Sequence, residues 1–222
     1  SRRHDVAPAL RSPRARRQAA IGRARQSPAK LEGSLDRIER EAERLDELVG
    51  QLLTLSRLEA SAGSGPLERL EQVELMDLVG SIAADAAFEA EANGRQVVFR
   101  GEGEITGEVR VELLQRAVEN VVRNAVKFTS EGSAVEVAAA ADPQGESLSV
   151  TVADRGPGVA AAELERIFEP FYRSADGQVG AGVGLGLAIA RRAVEAHGGT
   201  VSATNREGGG LVVEVRVPRR AE

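Results

Sequence analysis

The sequence contains no cysteine and no tryptophan, and aromatic residues make up only 3% of its 222 positions. Without cysteine, disulfide bonds and thiolate metal sites are excluded, and the composition fits a cytosolic protein. Histidine is scarce as well: His4 and His197 are the only two, so a metal site built from imidazole ligands is not expected. No apolar run approaches the roughly 20 residues that span a bilayer, and no secretory signal is recognisable.

Lysine is nearly absent too. Lys30 and Lys127 are the only lysines and neither follows a glycine, which excludes the P-loop of many nucleotide-binding proteins. Glycine is abundant, with 24 residues, but the glycines around Gly156 and Gly182 lack the G-x-G-x-x-G spacing of a dinucleotide-binding fingerprint. Two common phosphate-binding motifs are therefore missing from the chain.

Charge is unevenly distributed along the sequence. Residues 1–30 hold nine arginine or lysine residues against Asp5 alone, whereas the whole chain has a net charge of −5. A basic arm is typical of proteins that contact nucleic acid or a membrane surface. This arm contains no aromatic residue for base stacking, so we expect no nucleic-acid partner. With 42% hydrophobic and 28% charged residues, the chain suits one large or two modest globular domains.

Two helical patterns occupy the first quarter of the chain. Residues 1–27 are rich in alanine and arginine and predict a helix interrupted by Pro8 and Pro13. Residues 31–58 predict a longer helix whose apolar residues recur in alternating steps of four and three. This seam consists of Leu31, Leu35, Ile38, Ala42, Leu45, Val49 and Leu52. The two helices would form a hairpin, which needs a partner to bury the seam.

Residues 61–66, Ser-Ala-Gly-Ser-Gly-Pro, break both helical patterns, and we interpret them as a hinge. The predicted domains are therefore 1–60, the helical hairpin, and 67–222. Within the second domain a helical pattern covers 75–92, and alternating runs predict strands at 69–74, 96–100, 134–140, 147–153, 200–204 and 211–217. This mixture of periods predicts an α+β chain.

Residues 118–129 separate apolar and polar groups on one helix. The apolar residues, at helical spacing, are Val118, Val121, Val122, Ala125 and Val126. Asn120 and Asn124 lie one turn apart on another face, followed by Lys127. Two carboxamide oxygens can hold a hydrated hard cation and a lysine can meet an anion, which suits a magnesium nucleotide. An ordinary amphipathic helix with a solvated polar face is the alternative.

Two glycine-rich stretches follow downstream. The strand predicted at 147–153 ends at Asp154, and the next glycines, Gly156 and Gly158, let backbone approach a ligand closely. A carboxylate at a strand end can accept a hydrogen bond from an exocyclic amine, so Asp154 is a candidate adenine reader. The second stretch, residues 180–186, leads into a helix, and a helix N-terminus offers N–H groups to phosphate.

Residues 120–129, 154–158, 167–171 and 182–187 together make four motifs in a fixed order. They resemble the N box, the first glycine box, the F box and the G-x-G-L-G-L box of sensor histidine kinases. The resemblance implies an ATP-binding α/β sandwich of the GHKL or Bergerat type, shared with Hsp90, DNA gyrase and MutL. It also implies that the N-terminal hairpin is half of a four-helix bundle for dimerisation and histidine phosphotransfer.

The resemblance implies ATP and Mg²⁺ as cofactors. Asn120 and Asn124 would hold the metal and the triphosphate, with Asn124 as the metal ligand. Lys127 would meet a phosphate, Phe128 would pack beside the adenine or simply in the core, and Asp154 would read the adenine amine. The complete set of expected nucleotide contacts is Asn120, Asn124, Lys127, Phe128, Asp154, Gly156, Gly158, Tyr172, Arg173, Gly182, Val183, Gly184, Leu185, Gly186 and Leu187.

The resemblance implies less specific roles for the remaining motif residues. Residues 172–184 resemble the family's mobile lid, and their glycines suit a segment that becomes ordered on nucleotide binding. Phe168 and Phe171 are expected in an exposed loop, where the family uses them to dock the lid or the helical domain; a small satellite core is the alternative. Glu119 lies where related ATPases carry a catalytic acid, and we interpret it as an orienting or surface residue.

The phosphoacceptor box departs from the family pattern. Residues 10–13, Leu-Arg-Ser-Pro, match its last four positions, but Pro8 stands where the histidine belongs and Ala9 where the acidic residue belongs. His4, which precedes Asp5, is the remaining candidate for the catalytic acceptor. We therefore expect no phosphorylation at the usual position.

The predicted first helix also carries charge on its packing face. Extending the four-three rhythm through residues 1–27 places Arg14 and Arg17 on the seam. An unpaired buried charge costs several kcal/mol, and Pro8 inside a helix costs about 3 kcal/mol more. We expect the homodimer implied by the resemblance to be weakened by these three residues.

The family reaction is γ-phosphoryl transfer from Mg-ATP to a histidine and then to an aspartate of a response regulator. The expected partners are thus a response regulator and a second copy of the chain. Membrane contact is expected only through sensor segments missing from this sequence, which would make the chain the cytoplasmic portion of an inner-membrane protein. Two alternatives stay open: a non-catalytic nucleotide-binding scaffold, and a hydrolysing ATPase of the gyrase or MutL kind.

Overall fold

The computed structural model describes residues 28–61, 69–173 and 183–220. The chain divides into two compact units, and the boundary between them along the sequence lies between Val49 and Gly50. The helix predicted over 1–27, with His4 and the rest of the phosphoacceptor box, lies outside the described residues. All of the predicted hinge except Ser61 lies outside them as well, so the predicted domain limits stay predictions.

The first described element is α1 (Pro28–Ser61), a single helix of 34 residues and about 51 Å. It confirms the helix predicted over 31–58. In the first unit, the seam residues Leu35, Ile38, Leu45 and Val49 are more than half exposed. In the second unit, Leu55 and Leu58 near the end of the same helix are buried. No helix among the described residues is long and apolar enough to cross a membrane.

The described part of the second unit contains seven strands. They are β1 (Glu71–Glu74), β2 (Gln96–Glu102), β3 (Thr106–Val109), β4 (Ala134–Ala141), β5 (Ser147–Ala153), β6 (Thr200–Asn205) and β7 (Leu211–Pro218). Five of them form one sheet in the order β2-β4-β5-β7-β6, and β1 pairs with β3 in a separate two-stranded sheet. β2 is parallel to β4, and all other pairs are antiparallel.

Three helices cover one face of the large sheet: α2 (Leu75–Glu91), α3 (Val111–Phe128) and α4 (Gly186–Glu195). Strand side chains alternate accordingly, as in β5, where Leu148, Val150 and Val152 are buried while Ser149 and Thr151 are only half-buried. Helices and sheet bury their apolar residues against each other in one continuous core. The predicted α+β class, with an α/β sandwich of the Bergerat type, is confirmed.

One strand was not anticipated from the sequence. β3 reads Thr-Gly-Glu-Val, which has weak strand propensity because glycine and glutamate are depleted in strands. It forms because β1 pairs with it and because Gly107 fits tightly under the first residue of α2. A Cβ on Gly107 would lie 2.7 Å from Leu75 Cδ1. Elsewhere the strand limits agree with the predicted ones to within two residues, and those of β5 agree completely.

A buried histidine ties α3 to α4. His197 is completely buried; its Nδ1 lies 2.7 Å from the carbonyl oxygen of Ala193, and its Nε2 accepts the Arg110 N–H at 3.1 Å. The Arg110 guanidinium also donates to the Ala196 carbonyl. Because Nε2 accepts, Nδ1 carries the proton and the ring is neutral. Burial, aided by the nearby Arg110 charge, lowers the pKa of His197 below its ordinary value.

We expect the free energy of unfolding to fall as the pH drops below about 6.5, the ordinary histidine pKa. The folded chain favours the neutral His197 ring. Its stabilising contribution is therefore present above that pH and is lost by up to about 1.4 kcal/mol per pH unit below it. Urea denaturation between about pH 5.5 and pH 7.5 measures this. His197→Gln should flatten the dependence, whereas His4→Gln should keep it; equal slopes for wild type and His197→Gln would contradict the assignment.

Candidate nucleotide-binding site

Helix α3 supplies the centre of the site. Its predicted apolar stripe faces the core: Val118, Val121, Val122 and Ala125 are buried, and Val126 is half-buried. The polar residues Asn120, Asn124 and Lys127 are half-buried on the adjoining face. Because the stripe is packed against the sheet, the direction in which this polar face points is determined by the core.

At one end of the polar face, α3 meets the start of α4. A Cβ placed on Gly186 would lie 3.0 Å from Asn120 Oδ1, so the two helices approach closely here. The Asn120 Nδ2 donates to the Arg116 carbonyl oxygen at 2.8 Å, which orients the amide with its oxygen toward α4. The N box and the G-x-G-L-G-L box therefore meet at Asn120.

At the other end, α3 meets the loop that follows β5. A Cβ on Gly156 would lie 2.6 Å from the Phe128 carbonyl oxygen, so only glycine fits there. Thr129 is buried, and its Oγ1 accepts the Arg155 N–H at 3.0 Å. The Ser130 hydroxyl donates to the Arg155 carbonyl oxygen at 2.8 Å. No role was predicted for Thr129, although a Thr-Ser pair directly after a helix is a signal for such bonds to backbone.

Asp154 begins this loop and is 4% exposed. Its Oδ1 accepts the Gly156 N–H at 2.7 Å and the Leu211 N–H at 3.1 Å. No group among the described residues donates to Oδ2, which leaves that oxygen to meet a ligand amine. Burial raises the pKa of Asp154, while the two backbone hydrogen bonds and the charge of Arg206 oppose the rise.

The base of the predicted lid is closed by backbone contacts. The Phe171 N–H donates to the Gly184 carbonyl oxygen at 2.9 Å. Gly184 has φ +82°, and a Cβ there would lie 2.5 Å from the Tyr172 carbonyl oxygen. Residues 174–182, including Gly182 of the predicted contact set, lie outside the described residues. Arg173, the last residue described before them, is exposed.

The two F box phenylalanines differ in burial. Phe168 is 3% exposed, with the Arg191 guanidinium 5.4 Å from its ring centroid, so the expectation of an exposed loop residue was wrong for Phe168. The physical reason is that a turn of 3₁₀ helix directs the ring into the core. Phe171 is exposed, as expected. Tyr172 is half-buried and stacks with the Arg166 guanidinium, 4.5 Å from its centroid.

The predicted phosphate loop offers backbone rather than side chains. Leu185 and Leu187 are buried in the core, and Val183 is half-buried. The main-chain groups of this loop can meet a ligand, together with the free N–H groups at the start of α4, where Gly186 is the first residue. The bare backbone of a glycine at that position leaves room for an anion.

Lys127 and Phe128 lie side by side at the end of α3. The Lys127 Nζ is 5.2 Å from the centroid of the Phe128 ring, within the range of a cation–π contact. Phe128 is 36% exposed, which argues against the alternative that it belongs to the core. Its ring is therefore available to a ligand.

The site thus has two ends joined by one helix. From Asn120 to Phe128 the rise along α3 is about 12 Å, with the Asp154 loop at one end and the start of α4 at the other. A metal held only by protein is not supported, since the described residues contain no group of three His, Cys, Asp or Glu side chains. Mg²⁺ needs fewer protein ligands, because it keeps water and takes phosphate oxygens, and the carboxamide oxygens of Asn120 and Asn124 fit that chemistry.

We expect Thr129→Val to loosen the Asp154 loop, since valine keeps the shape of threonine but leaves the Arg155 N–H without its acceptor. The free energy of unfolding should fall by about 1–2 kcal/mol, the cost of an unmet buried hydrogen bond. Nucleotide affinity, measured by calorimetry, should fall with it. Thr129→Ser keeps the hydroxyl and should stay close to wild type; a serine variant as unstable as the valine variant would contradict the role of the hydroxyl.

Comparison with known proteins gives consistent results. The family model described as histidine kinase-, DNA gyrase B-, and HSP90-like ATPase matches residues 109–221. The sensor histidine kinase CpxA of Escherichia coli strain K12 is 35% identical over 221 residues, which cover 96% of this chain and 46% of CpxA. Full-length ShkA in complex with AMPPNP superposes with a TM-score of 0.71 at 30% identity, over 86% of this chain and 39% of ShkA.

A third likeness concerns the fold alone. The histidine kinase ThkA, in complex with the response regulator protein TrrA, superposes with a TM-score of 0.69 at 21% identity, over 91% of this chain and 56% of ThkA. The chain spans 46% of the length of CpxA, so it corresponds to about half of that relative. The family match includes α3, the Asp154 loop and α4, which are the elements that form the site. The chain therefore belongs to the histidine kinase-, DNA gyrase B- and HSP90-like ATPases, and within them to the sensor histidine kinases.

Proposed function

We propose that this chain is the cytoplasmic core of a two-component sensor histidine kinase, which binds Mg-ATP along helix α3. The observation that carries the proposal is that one helix contacts both glycine motifs. Its Phe128 approaches Gly156 and its Asn120 approaches Gly186, and these two helix residues are separated by a rise of about 12 Å. A nucleotide lying along this face would have its base at the Asp154 loop and its phosphates at the start of α4. The AMPPNP bound to ShkA supports a nucleotide in this fold.

At the base end, Asp154 would accept a hydrogen bond from the adenine amine through Oδ2. The two backbone donors on Oδ1 hold the carboxylate in one orientation before the ligand arrives, so little ordering is required on binding. Gly156 brings the backbone close to the same place, and the Phe128 ring offers a flat apolar surface next to it.

At the phosphate end, the first N–H groups of α4 and the positive end of its dipole would bind phosphate oxygens. The oxygens of Asn120 and Asn124 would ligate Mg²⁺, with Asn124 as the principal ligand. Lys127 lies beside Phe128, nearer the base end, and its long side chain would reach back along the helix to bring a positive charge to a phosphate. When bound, Mg²⁺ would supply positive charge that offsets the negative charge developing on the phosphates during transfer. The protein's contribution is to position the γ-phosphate for an in-line acceptor.

The acceptor and partners belong to the same proposal. A response regulator is the proposed partner, as ThkA has in its complex with TrrA. A second copy of the chain is the other, because the exposed Leu35, Ile38 and Leu45 of α1 form an apolar stripe suited to helix pairing. Pro8, Arg14 and Arg17 would weaken that dimer, because a proline interrupts the predicted first helix and two charges lie on its seam. Sensor segments outside this sequence would place the chain at the cytoplasmic side of an inner membrane.

The sequence at the acceptor position favours a second candidate function. With Pro8 in place of the histidine and Ala9 in place of the acid, the chain has no nucleophile there, which suits a scaffold that binds ATP without transferring phosphate. ATP hydrolysis is less well supported. Glu119, the position of the catalytic acid in related ATPases, is engaged by the Gln115 amide at 2.8 Å.

Asp154 and Asn124 should affect nucleotide binding in different ways. Asp154→Asn matches the carboxylate in shape but turns an amide group toward the adenine amine. It should weaken ATP and ADP alike by about 10–100-fold, with or without Mg²⁺. Asn124→Ala should reduce only the gain in affinity that Mg²⁺ provides. Calorimetry in Mg²⁺ and in EDTA separates the two, and equal losses for both variants under both conditions would refute the assigned roles.

The chain should bind ATP without labelling itself from γ-labelled ATP. Replacing Pro8 with His, Ala9 with Glu, and both Arg14 and Arg17 with Leu should restore dimerisation and acid-labile label together. Asp154→Asn added to that variant should remove the label. Acid-labile label on the unaltered chain that disappears in His4→Gln would make His4 the acceptor, while release of free phosphate would identify an ATPase.

A further inference from the structure

The turn between β6 and β7 contacts the Asp154 loop, residues 154–159, at both ends of that loop. At the first end, Asp154 and Leu211 exchange two hydrogen bonds: the Asp154 N–H donates to the Leu211 carbonyl at 2.9 Å, and the Leu211 N–H donates to Asp154 Oδ1 at 3.1 Å. The contact at the second end is made by one side chain, Asn205, the last residue of β6.

Asn205 binds both polar groups of a single residue in the loop. Its Oδ1 accepts the Val159 N–H at 3.0 Å, and its Nδ2 donates to the Val159 carbonyl oxygen at 2.7 Å. A carboxamide is required for this pairing, because it carries an acceptor and a donor on one planar group. The loop from Asp154 to Val159 is thereby held at two points by one turn.

Glycines on both sides allow the close approach. Gly158 has φ +71°, and a Cβ there would lie 2.7 Å from Asn205 Oδ1. Gly210, on the turn, has φ +109°, and a Cβ there would lie 2.1 Å from the Asp154 carbonyl oxygen. Neither position can carry a side chain while loop and turn stay in contact.

The turn itself is anchored to the sheet by Arg206. Its main-chain N–H donates to the Gly210 carbonyl at 2.9 Å, and its guanidinium donates to Glu136 Oε1 on β4 at 2.7 Å. That ion pair lowers the pKa of Glu136. Because Arg206 directly follows Asn205, the turn that carries Asn205 is fixed to strand β4 of the large sheet.

We propose that Asn205 is a positioning residue for base recognition: by holding Val159, it keeps Asp154 Oδ2 and the Gly156–Gly158 backbone at the separation that adenine requires. This inference rests on the proposed ATP site. Asn205 itself lies outside the predicted contact set, and its effect is exerted through the loop.

The exposure of Asn205 determines which measurement will report its role. Asn205 is exposed, so water can replace its hydrogen bonds when the side chain is removed, and the stability of the fold should change little. Without Asn205, the loop would become ordered only when the nucleotide binds. The free-energy cost of ordering the loop would then lower the measured affinity. Affinity for the base should fall while the metal-dependent part of the affinity stays the same, because the phosphate end lies on another part of α3.

The experiment is calorimetry with ATP and ADP, in Mg²⁺ and in EDTA, on wild type, Asn205→Ala, Asn205→Asp, Thr204→Ala and Asp154→Asn. Asn205→Ala should weaken both nucleotides by about 10-fold, and the ratio of ATP affinities in Mg²⁺ and EDTA should not change. Asn205→Asp keeps the acceptor but loses the donor and should also bind more weakly than wild type. Thr204→Ala, on the exposed preceding residue of the same strand, should match wild type.

Two results would overturn the proposal, and both differ from a failure of the ATP site. Wild-type affinity in Asn205→Ala, together with weakened binding in Asp154→Asn, would refute the role of Asn205 alone. A loss in Asn205→Ala that tracks a lower melting temperature and also reduces the Mg²⁺ ratio would show a merely structural role. Absence of ATP binding by the wild-type chain would refute the proposed function and this inference with it.

Discussion

The packing of the α3 stripe against the sheet is the constraint on which the candidate site depends. Val118, Val121, Val122 and Ala125 are nearly fully buried, so the helix cannot rotate without exposing them. Rotation of one helix by a fraction of a turn would carry Asn120 away from Gly186 and the end of the helix away from Gly156. The core therefore sets the direction of the polar face, and the same packing aligns the two glycine motifs along it.

Buried polar groups connect elements that are distant in sequence. Among the described residues the buried polar or charged ones are Arg110, Thr129, Asp154 and His197. Each bonds to backbone outside its own element: Thr129 to the Asp154 loop, Asp154 to β7, and the Arg110–His197 pair between the ends of α3 and α4. A buried polar group is costly unless it is paired, so these contacts specify one arrangement of loops over a core that is otherwise apolar.

Helix α1 has two environments along its length. Its seam residues Leu35, Ile38, Leu45 and Val49 in the first unit are exposed, whereas Leu55 and Leu58 near its end are buried within the second unit. Thr54 accepts a hydrogen bond from the Arg116 guanidinium at 3.0 Å, which connects this end of the helix to α3 one turn before Asn120. Burial therefore changes along this one helix, from an apolar seam open to solvent in the first unit to an end packed in the core of the second.

Local periodicity determined much of this protein. The alternation of β5 predicted its limits at 147–153, the 3.6-residue period of α3 predicted its buried stripe, and the four motifs predicted the fold. Tertiary structure alone decided the rest. β3 has little strand propensity, Phe168 is buried while Phe171 is exposed, and the bonds from Thr129 to Arg155 and from Asn205 to Val159 join residues 26 and 46 positions apart. These features depend on which groups come into contact after the sheet and helices have packed. The spacing of apolar residues, every two in a strand and every 3.6 in a helix, carries no information about contacts between residues so far apart in the sequence.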